Sequence, residues 1–493
     1  MRQFIEEARR LIRIHSVSTD GNEEIANYVC GLMVARSMKA QTQQVFHSVD
    51  GVSKRQFNVI GILGDPLVDK KTRKGLLLST HLDTVNPGIT ENWTETGGDP
   101  FCAAIKGGQI FGLGAADAKL DFLCKLKAVE KFREKKLRAP LYLVGTCGEE
   151  IGMLGAKYLI KSLTLNPKYA LIGEPTDLKV VYAHKSMSVF RITIGFKQVE
   201  RDAKGYIRRV ELHSFGRGAH GSCPAAGVNA IDQLVGLLRN ATENGFELRY
   251  EKLGGGDAVN KVPDRAFAEF FLASNQFEDF KGFIRDAVSR EGLDRAFHAE
   301  IGGLGDSGVK FLPGTVFPCL VEILQYFQSL AFEFNNVQDV SFNPPTSTVN
   351  FGKLGTRSDA VDLHFDVRLL PRFKMDEIQS QIVNGIKSIA QKYPEMNLSA
   401  VRERSNPSLD MTEDHPLVTI CGEAMEEAGI QPFIDKKAAS TEAALYFHAG
   451  YEAIVFGPGK FVGNSHSPNE NNMVEHLEKA VLFYEKVIEK VCL

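Results

Sequence analysis

A chain of 493 residues is longer than one ordinary hydrophobic core can organise, so two or more domains are predicted. The hydrophobic fraction of 43% and the charged fraction of 24% are typical of a globular protein. The net charge of -3 gives no general attraction to nucleic acid or to an anionic membrane, and no apolar run approaches the roughly 20 residues that span a bilayer. The eight cysteines form no CxxC pair, which favours a reducing compartment. Composition therefore predicts a cytoplasmic protein without nucleic-acid or membrane partners.

The first part of the chain alternates predicted helices with apolar strands. Helices are predicted at 4–14 and 23–37, and strands at 57–63 and 75–79. The last strand runs into His81 and Asp83, which point to the same side because they lie two residues apart. A carboxylate beside an imidazole fixes its tautomer and raises its basicity, as a metal ligand requires. On this evidence alone, a solvent-exposed pair at a strand end is an equal alternative.

A glycine-rich turn at 112–119 (GLGAADAK) opens a helix that is predicted to run to about residue 135. Such a turn can hold a phosphate, but this one lacks the Gly-Lys-Ser/Thr of a P-loop. The acidic residue in the turn, Asp117, is therefore interpreted as a metal ligand.

Two further apolar strands end in glutamates. The strand predicted at 141–146 leads to Glu149 and Glu150, and the strand at 169–172 leads to Glu174. Sites in open α/β sheets lie beyond the carboxyl ends of the strands, so these groups are predicted to converge with the earlier ones. Glu149 and Glu150 point in different directions, so one can bind a metal while the other faces a water. Two solvated surface glutamates are the alternative.

From about residue 185 the pattern changes to the alternation of half-exposed antiparallel strands. His220 lies here, in the Gly/Ser/Pro-containing segment 218–224. A Lys-Leu-Gly start followed by a strand and a helix occurs at 252 and again about a hundred residues later at 353. This order predicts a weak internal duplication within an inserted domain, with chance similarity as the alternative.

The α/β pattern returns from about residue 407, and His466 lies in a loop rich in Gly, Ser, Asn and Pro just beyond a strand at 453–456. The candidate metal ligands are therefore His81, Asp117, Glu150, Glu174 and His466. Imidazole nitrogen and carboxylate oxygen without cysteine suit zinc, cobalt or manganese. Five ligands exceed the need of one tetrahedral zinc, whereas two metals that share a carboxylate would use them all. This set predicts a two-metal hydrolase.

In their order along the chain, these motifs resemble those of the M20 family of metallopeptidases and amidohydrolases. The motifs are 79–85 (STHLDTV), 112–119 (GLGAADAK), 148–152 (GEEIG), 172–176 (IGEPT) and 456–459 (FGPG) with 466–470 (HSPNE). The resemblance covers almost the whole chain outside roughly residues 275–345. It implies an α/β fold, with a mixed-sheet α/β/α dinuclear zinc hydrolase domain at 1–184 and 409–493. The inserted lid domain, 185–408, is expected to be α+β and ferredoxin-like, with the apparent duplication.

The resemblance also implies roles for the metal ligands. Asp117 would bridge two divalent metals, zinc before cobalt or manganese, with His81 and Glu174 on one and Glu150 and His466 on the other. Asp83 would orient His81. Glu149 would act as the general base that takes a proton from the metal-bridging water and delivers it to the leaving amine.

Three residues of the predicted lid complete the site. The resemblance implies that His220 stabilises the oxyanion of the tetrahedral intermediate, and that Arg368 clamps a substrate carboxylate. Asn260 is assigned with Arg368 to substrate binding. Structural roles without contact to substrate are the alternatives for His220 and Arg368.

The implied activity is hydrolysis of an amide bond in an N-acyl amino acid or a short peptide with a free carboxylate. A dinuclear dipeptidase or aminopeptidase is the alternative within the family, and a non-catalytic binding protein is the remote one. Glu174 favours a deacylase or carboxypeptidase, because relatives that are dipeptidases or aminopeptidases tend to carry Asp there. The enlarged lid resembles that of the monomeric dinuclear dipeptidases, so the two features conflict.

The sequence departs from the family pattern in two places. Ser440-Thr441-Glu442-Ala443 stands where relatives often carry Thr-Asp-Ala, which predicts a contact with a different substrate group. Lys185-Ser186 replaces a frequent Lys-Gly. In ordinary members the lid pairs two subunits, and a doubled lid could mimic that partner, so a homodimer and a monomer both stay open.

Overall fold

The computed structural model describes residues 2–49, 52–65, 73–162, 165–197, 200–201, 207–290, 297–304 and 310–493. The chain divides into two compact units. The outer unit comprises Met1–His184 and Asn406–Leu493, and the inserted unit comprises Lys185–Ser405. Within the described ranges, no helix combines the length and the apolar character needed to cross a bilayer.

The regular elements are as follows. The α-helices are α1 (Arg2–Arg13), α2 (Glu23–Val34), α3 (Lys119–Val129), α4 (Leu154–Ser162), α5 (Ala230–Glu243), α6 (Phe277–Arg290), α7 (Val316–Phe334), α8 (Met375–Ala390), α9 (Pro416–Glu427), α10 (Ala443–His448) and α11 (Val474–Cys492). The strands are β1 (Lys39–Val49), β2 (Val52–Leu63), β3 (Leu76–His81), β4 (Ala104–Lys106), β5 (Gln109–Phe111), β6 (Leu141–Thr146), β7 (Tyr169–Gly173), β8 (Val180–His184), β9 (Met187–Gly195), β10 (Glu200–Arg201), β11 (Ile207–Phe215), β12 (Arg249–Gly255), β13 (Arg265–Ala273), β14 (Phe297–Leu304), β15 (Lys310–Phe311), β16 (Thr348–Thr356), β17 (Ala360–Arg368), β18 (Asn397–Asn406), β19 (Leu409–Asp410), β20 (Ile434–Lys437), β21 (Glu452–Val455) and β22 (Asn471–Met473).

The outer unit is built on a mixed sheet with the strand order β1-β2-β6-β3-β7-β21-β8-β19, and β20 pairs with β8. The central strands β6, β3, β7 and β21 run parallel, whereas the edge formed by β1 and β2 is antiparallel. Every residue of β3, β6 and β7 is buried, as expected of parallel strands covered on both faces. Helix α3 packs against α1 and α11, α11 packs against α9, and α4 packs against α10.

A small sheet in the order β22-β5-β4 ties two distant parts of the outer unit together. Asn471 pairs with Phe111, and Met473 pairs with Gln109. This pairing brings the loop that carries His466 next to the glycine-rich turn that carries Asp117.

The inserted unit contains an antiparallel sheet in the order β14-β11-β13-β12-β16-β17-β9-β18. One half follows the chain order β11-α5-β12-β13-α6-β14, and the other follows β9-α7-β16-β17-α8-β18. In both halves the first strand lies between the third and the fourth, which is the ferredoxin-like arrangement. The halves meet where β12 pairs with β16, at Gly254 opposite Gly355.

Candidate metal centre

Three candidate ligands meet in the outer unit. One ligand atom each of His81, Asp117 and Glu150 lies within 4.8 Å of the other two. His466 joins them, because its Nε2 is 2.9 Å from Glu150 Oε1 and 3.2 Å from Asp117 Oδ2. The other oxygen of Asp117, Oδ1, is 3.0 Å from Nε2 of His81. The Asp117 carboxylate therefore lies between two imidazoles, with one oxygen directed at each.

The parallel strands explain why these groups converge. In the register of the sheet, His81 lies opposite Thr146 of β6, and Thr80 lies opposite Gly173 of β7. The three carboxyl ends are therefore level. Glu149 and Glu150 follow β6 and Glu174 follows β7, so all three reach the same edge as His81.

Asp83 lies next to the His81 ring and contacts it most closely through its main chain. Nδ1 of His81 is 3.0 Å from the main-chain oxygen of Asp83, but 3.8 Å from the Asp83 carboxylate oxygen Oδ1. The carboxylate instead accepts hydrogen bonds from the Ser18 hydroxyl at 2.6 Å and from the Glu150 amide at 3.3 Å. Asp83 therefore contacts the ring through its carbonyl, with its carboxylate nearby, and its role in orienting His81 stays a prediction.

Glu470 holds the Asp117 turn and was not assigned a role from the sequence. Its Oε1 accepts hydrogen bonds from the amides of Ala116 and Asp117 at 2.8 and 3.0 Å. The amide of Gly112 donates to the main-chain oxygen of Glu470 at 2.8 Å. Burial raises the pKa of Glu470 to about 8. Glu470 could have been recognised from the sequence, because it lies four residues after His466 in the last motif.

The electrostatics of the centre fit cations. Burial alone would raise the pKa of Asp117, but hydrogen bonds from His466 and His81 outweigh it and hold this pKa well below its usual range. Burial would lower the pKa of His466, yet Asp117 and Glu150 raise it to about 11. Nε2 of each imidazole faces one oxygen of Asp117. Because histidine binds a metal in its deprotonated form, a bound cation would take the place of a proton at these nitrogens.

Glu174 and Glu149 are buried carboxyl groups whose pKa values are raised. Burial raises the pKa of Glu174 to about 7, and the ammonium of Lys437 lies 3.9 Å from its Oε2. Sequence reasoning missed Lys437, which lies in the short strand β20 and carried no motif. Burial, with Glu150 and Glu174 nearby, raises the pKa of Glu149 well above its usual value. A carboxyl group with a raised pKa is suited to accept and return a proton at neutral pH.

Glu442, from the segment that departs from the family pattern, is buried in the outer unit. Its Oε2 accepts a hydrogen bond from the Thr146 hydroxyl at 2.9 Å, and burial raises its pKa to about 8.

The predicted lid residues lie together in the inserted unit. Nδ1 of His220 is 2.7 Å from the Ser222 hydroxyl, and the next amide, that of Gly221, donates to the main-chain oxygen of Asn260 at 2.7 Å. Arg368 is only 3% exposed and donates from Nε and Nη2 to Asp366 at 3.0 to 3.2 Å. The guanidinium is thus held by Asp366, and its role as a clamp for a substrate carboxylate stays a prediction.

Comparison with known proteins identifies the family. Residues 77–490 match the sequence model of Peptidase family M20/M25/M40, so the chain belongs to this family. An acetylornithine deacetylase of Yersinia pestis is 32% identical over 283 residues, which are 52% of this chain and 64% of that protein. An acetylornithine deacetylase of Vibrio cholerae is 24% identical over 506 residues, 99% of this chain and 98% of that protein.

Solved structures share the fold. The aminoacylhistidine dipeptidase of Vibrio alginolyticus has a TM-score of 0.65 at 17% identity, over 99% of this chain and 96% of that chain. An M20 family metallo-carboxypeptidase of Sulfolobus solfataricus has a TM-score of 0.59 at 15% identity, over 99% of each chain. The predicted family and the predicted mixed α/β fold class are confirmed.

Proposed function

We propose that this protein is a metal-dependent hydrolase of an amide bond in an N-acyl amino acid or a short peptide with a free carboxylate. The observation that carries the proposal is the Asp117 carboxylate between His81 and His466, with one oxygen directed at each ring. This arrangement suits a carboxylate shared by two cations. Membership of Peptidase family M20/M25/M40 supports the same reaction class.

The donor set fits two divalent ions, zinc before cobalt or manganese. Asp117 would be shared, Glu150 and His466 would hold one ion, and His81 and Glu174 the other. The contact of His466 Nε2 with both Glu150 and Asp117 supports the first grouping. When bound, the ions would supply the Lewis acidity that makes a water acidic and polarises the scissile carbonyl.

Glu149 would move the protons of the reaction. Its raised pKa, caused by burial and neighbouring carboxylates, makes it a stronger base than an ordinary glutamate. It would take a proton from the attacking water and deliver it to the nitrogen of the leaving amine. The carbonyl of Asp83 keeps the His81 ring in place meanwhile.

The inserted unit would supply groups for the substrate. We assign His220 to the stabilisation of the developing oxyanion, because its ring is held by Ser222. Asn260, whose side chain is exposed, would contact the substrate, and any role of Arg368 would be shared with Asp366. A cytoplasmic location, and either a homodimer or a monomer with a duplicated lid, stay predictions.

Deacylation is the preferred reaction. Glu174 favours it, and the relatives with 32% identity are named acetylornithine deacetylases, although the alignment spans 64% of their length. The dipeptidase of similar fold shares only 17% identity and supports the fold alone. The test is hydrolysis of N-acetyl amino acids beside dipeptides, with zinc or cobalt added. Turnover of dipeptides alone would contradict the preference, and turnover of neither would contradict the proposed function.

A further inference from the structure

A cluster of buried polar and charged groups adjoins the candidate metal centre within the outer unit. Its members are Thr80 at the end of β3, Asp121 and Lys125 on α3, and Tyr484 on α11. All four side chains are 0 to 1% exposed. The motifs did not include Asp121, Lys125 or Tyr484, and the proposed reaction does not use them.

Lys125 binds the end of β3. Its Nζ donates to the main-chain oxygen of Ser79 at 2.7 Å and to the Thr80 hydroxyl at 2.7 Å, and it lies 2.9 Å from Asp121 Oδ2. These three contacts match the three donors of an ammonium group. Ser79 and Thr80 directly precede His81, so Lys125 holds the backbone that presents this ligand.

Asp121 extends the cluster to α11 and to the neighbouring strands. Its Oδ2 accepts from the Thr80 hydroxyl at 2.7 Å, and its Oδ1 accepts from the Tyr484 hydroxyl at 2.5 Å. The Tyr484 hydroxyl is also 3.2 Å from the main-chain oxygen of Phe456. Phe456 directly follows β21, whose chain continues to His466.

The cluster also packs against the last residue of β7. A Cβ on Gly173 would collide with the Asp121 carboxylate and the Thr80 hydroxyl. Gly173 directly precedes Glu174. The same buried groups therefore contact the backbone next to two ligands, His81 and Glu174.

Stability alone does not account for such a cluster. A buried ion pair often contributes no more than well-packed apolar side chains of the same volume, so its charges need another reason. The chain offers a comparison: Arg36 is also buried and pairs with Glu7 at 2.7 Å and with Glu130 at 2.6 Å. Among the described residues, that network joins α1, the end of α2 and the end of α3, and none of these elements is a strand that leads to a candidate ligand.

We propose that Lys125, together with Asp121 and Tyr484, forms a set of positioning residues that fixes His81 and Glu174 and thereby sets the affinity of the centre for divalent metal. This inference rests on the proposed two-metal site. Replacing outer-shell groups that hydrogen-bond to metal ligands typically changes metal affinity by about 10- to 100-fold. Here the cluster acts one step further out, on the residues directly before two ligands.

The test is Co²⁺ binding by the full chain, measured by competition with a chelator, together with the visible spectrum of the Co²⁺ protein and its thermal unfolding. Lys125→Met is expected to weaken binding by about 10-fold or more and to change the spectrum. Arg36→Met removes an equally buried cation from the other network. It is expected to lower the unfolding temperature while it leaves Co²⁺ affinity and spectrum unchanged. Equal affinity in the Lys125 variant and the wild type would overturn the inference.

A double variant separates positioning from general stability. Lys125→Met leaves Asp121 as an uncompensated buried charge, and adding Asp121→Asn removes that charge. The double variant is expected to recover thermal stability but not Co²⁺ affinity, because the bonds from Lys125 to Ser79 and Thr80 are still missing. Recovery of affinity together with stability would show a merely structural role and overturn the inference.

Tyr484→Phe keeps the test decisive if Lys125→Met does not fold. It removes only the hydroxyl that donates to Asp121, and a measurable loss of Co²⁺ affinity in a folded protein is expected. Unchanged affinity in this variant would overturn the inference. Wild-type protein that binds no stoichiometric Co²⁺ would refute the proposed metal centre itself, and the inference with it.

Discussion

At the scale of single residues, the proposed site contains two adjacent glutamates with different surroundings. Glu150 Oε1 is 2.9 Å from His466, whereas burial and neighbouring carboxylates raise the pKa of Glu149. Glu149→Gln should therefore lower kcat by about 100-fold or more and leave bound metal unchanged. Steady-state kinetics and metal analysis check this, with Glu134→Gln on the exposed surface as the control. Normal activity in the Glu149 variant would contradict its role as the base.

Asp117 should behave in the opposite way. Asp117→Asn removes one of the two oxygens that lie 3.0 and 3.2 Å from the rings of His81 and His466, together with the negative charge. We expect the variant to lose metal as well as activity. Metal analysis after gel filtration, beside the Glu149 variant, measures the difference. Full metal occupancy in the Asp117 variant would contradict a shared carboxylate.

At the scale of elements, the loop that contains Gly459 packs closely against the turn that carries Asp117 and so fixes the position of that turn. A Cβ on Gly459 would collide with the main-chain oxygen of Ala116, which cannot move without moving Asp117. Gly459→Ala should therefore weaken metal binding in a protein that still folds. Gly422→Ala is the matched control, because space is open at this position of α9, and it should stabilise by up to about 1 kcal/mol. Isothermal titration with Zn²⁺ and thermal unfolding provide both measurements, and equal Zn²⁺ affinity in the two variants would contradict this placement.

The segment before β9 carries a pH-dependent contribution to stability. Lys185 donates to the main-chain oxygens of Pro344 and Thr346 at 2.8 and 2.5 Å, and burial lowers its pKa to about 8. Between pH 8 and about 10.5 the Lys185 side chain is protonated in the unfolded chain but not in the folded protein. Its contribution to the free energy of unfolding therefore rises with pH across that window. Lys185→Met should flatten this rise in denaturant titrations at several pH values. Parallel pH profiles for variant and wild type would contradict this account.

The elements also show what sequence can predict. The strands β3, β6 and β7 were predicted because each is a short apolar run buried on both faces. Strand β1 was not predicted, because its sequence KAQTQQVFHSV is mostly polar and its stability comes from pairing with β2. The candidate ligands were proposed from residue types that follow the strands. The carbonyl of Asp83 and the ammonium of Lys437 were missed, since such contacts depend on tertiary structure.

At the scale of the whole molecule, the family and the mixed α/β fold were predictable because the motifs occur in a fixed order along the chain. The way in which the two halves of the inserted unit pair was not predicted, because this pairing joins β12 to β16 across about a hundred residues. Lys-Leu-Gly at 252 and at 353 hinted at two similar halves. Only the strand order shows that these segments pair with each other at the middle of one sheet.

The division into two units predicts that the outer unit can hold metal alone. Separating the two units would leave two new chain ends in each, and in both units these ends lie close together. Leu409 pairs with His184 in the outer unit, and the Ser188 and Ser405 hydroxyls are 3.0 Å apart in the inserted unit. We expect residues 1–184 joined to 406–493 by a short Gly/Ser linker to fold and to bind Co²⁺ stoichiometrically. Turnover should fall by about 100-fold or more, since His220 is removed.

The matched control for the joined outer unit is the full-length chain with His220→Ala. It should bind the same amount of Co²⁺ and lose kcat by about 100-fold or more. The joined outer unit also lacks Asn260 and Arg368, so its loss of turnover should be at least as large. A joined outer unit that folds without binding metal would contradict the placement of the five ligands in this unit alone. Full activity in either protein would instead contradict the role proposed for His220.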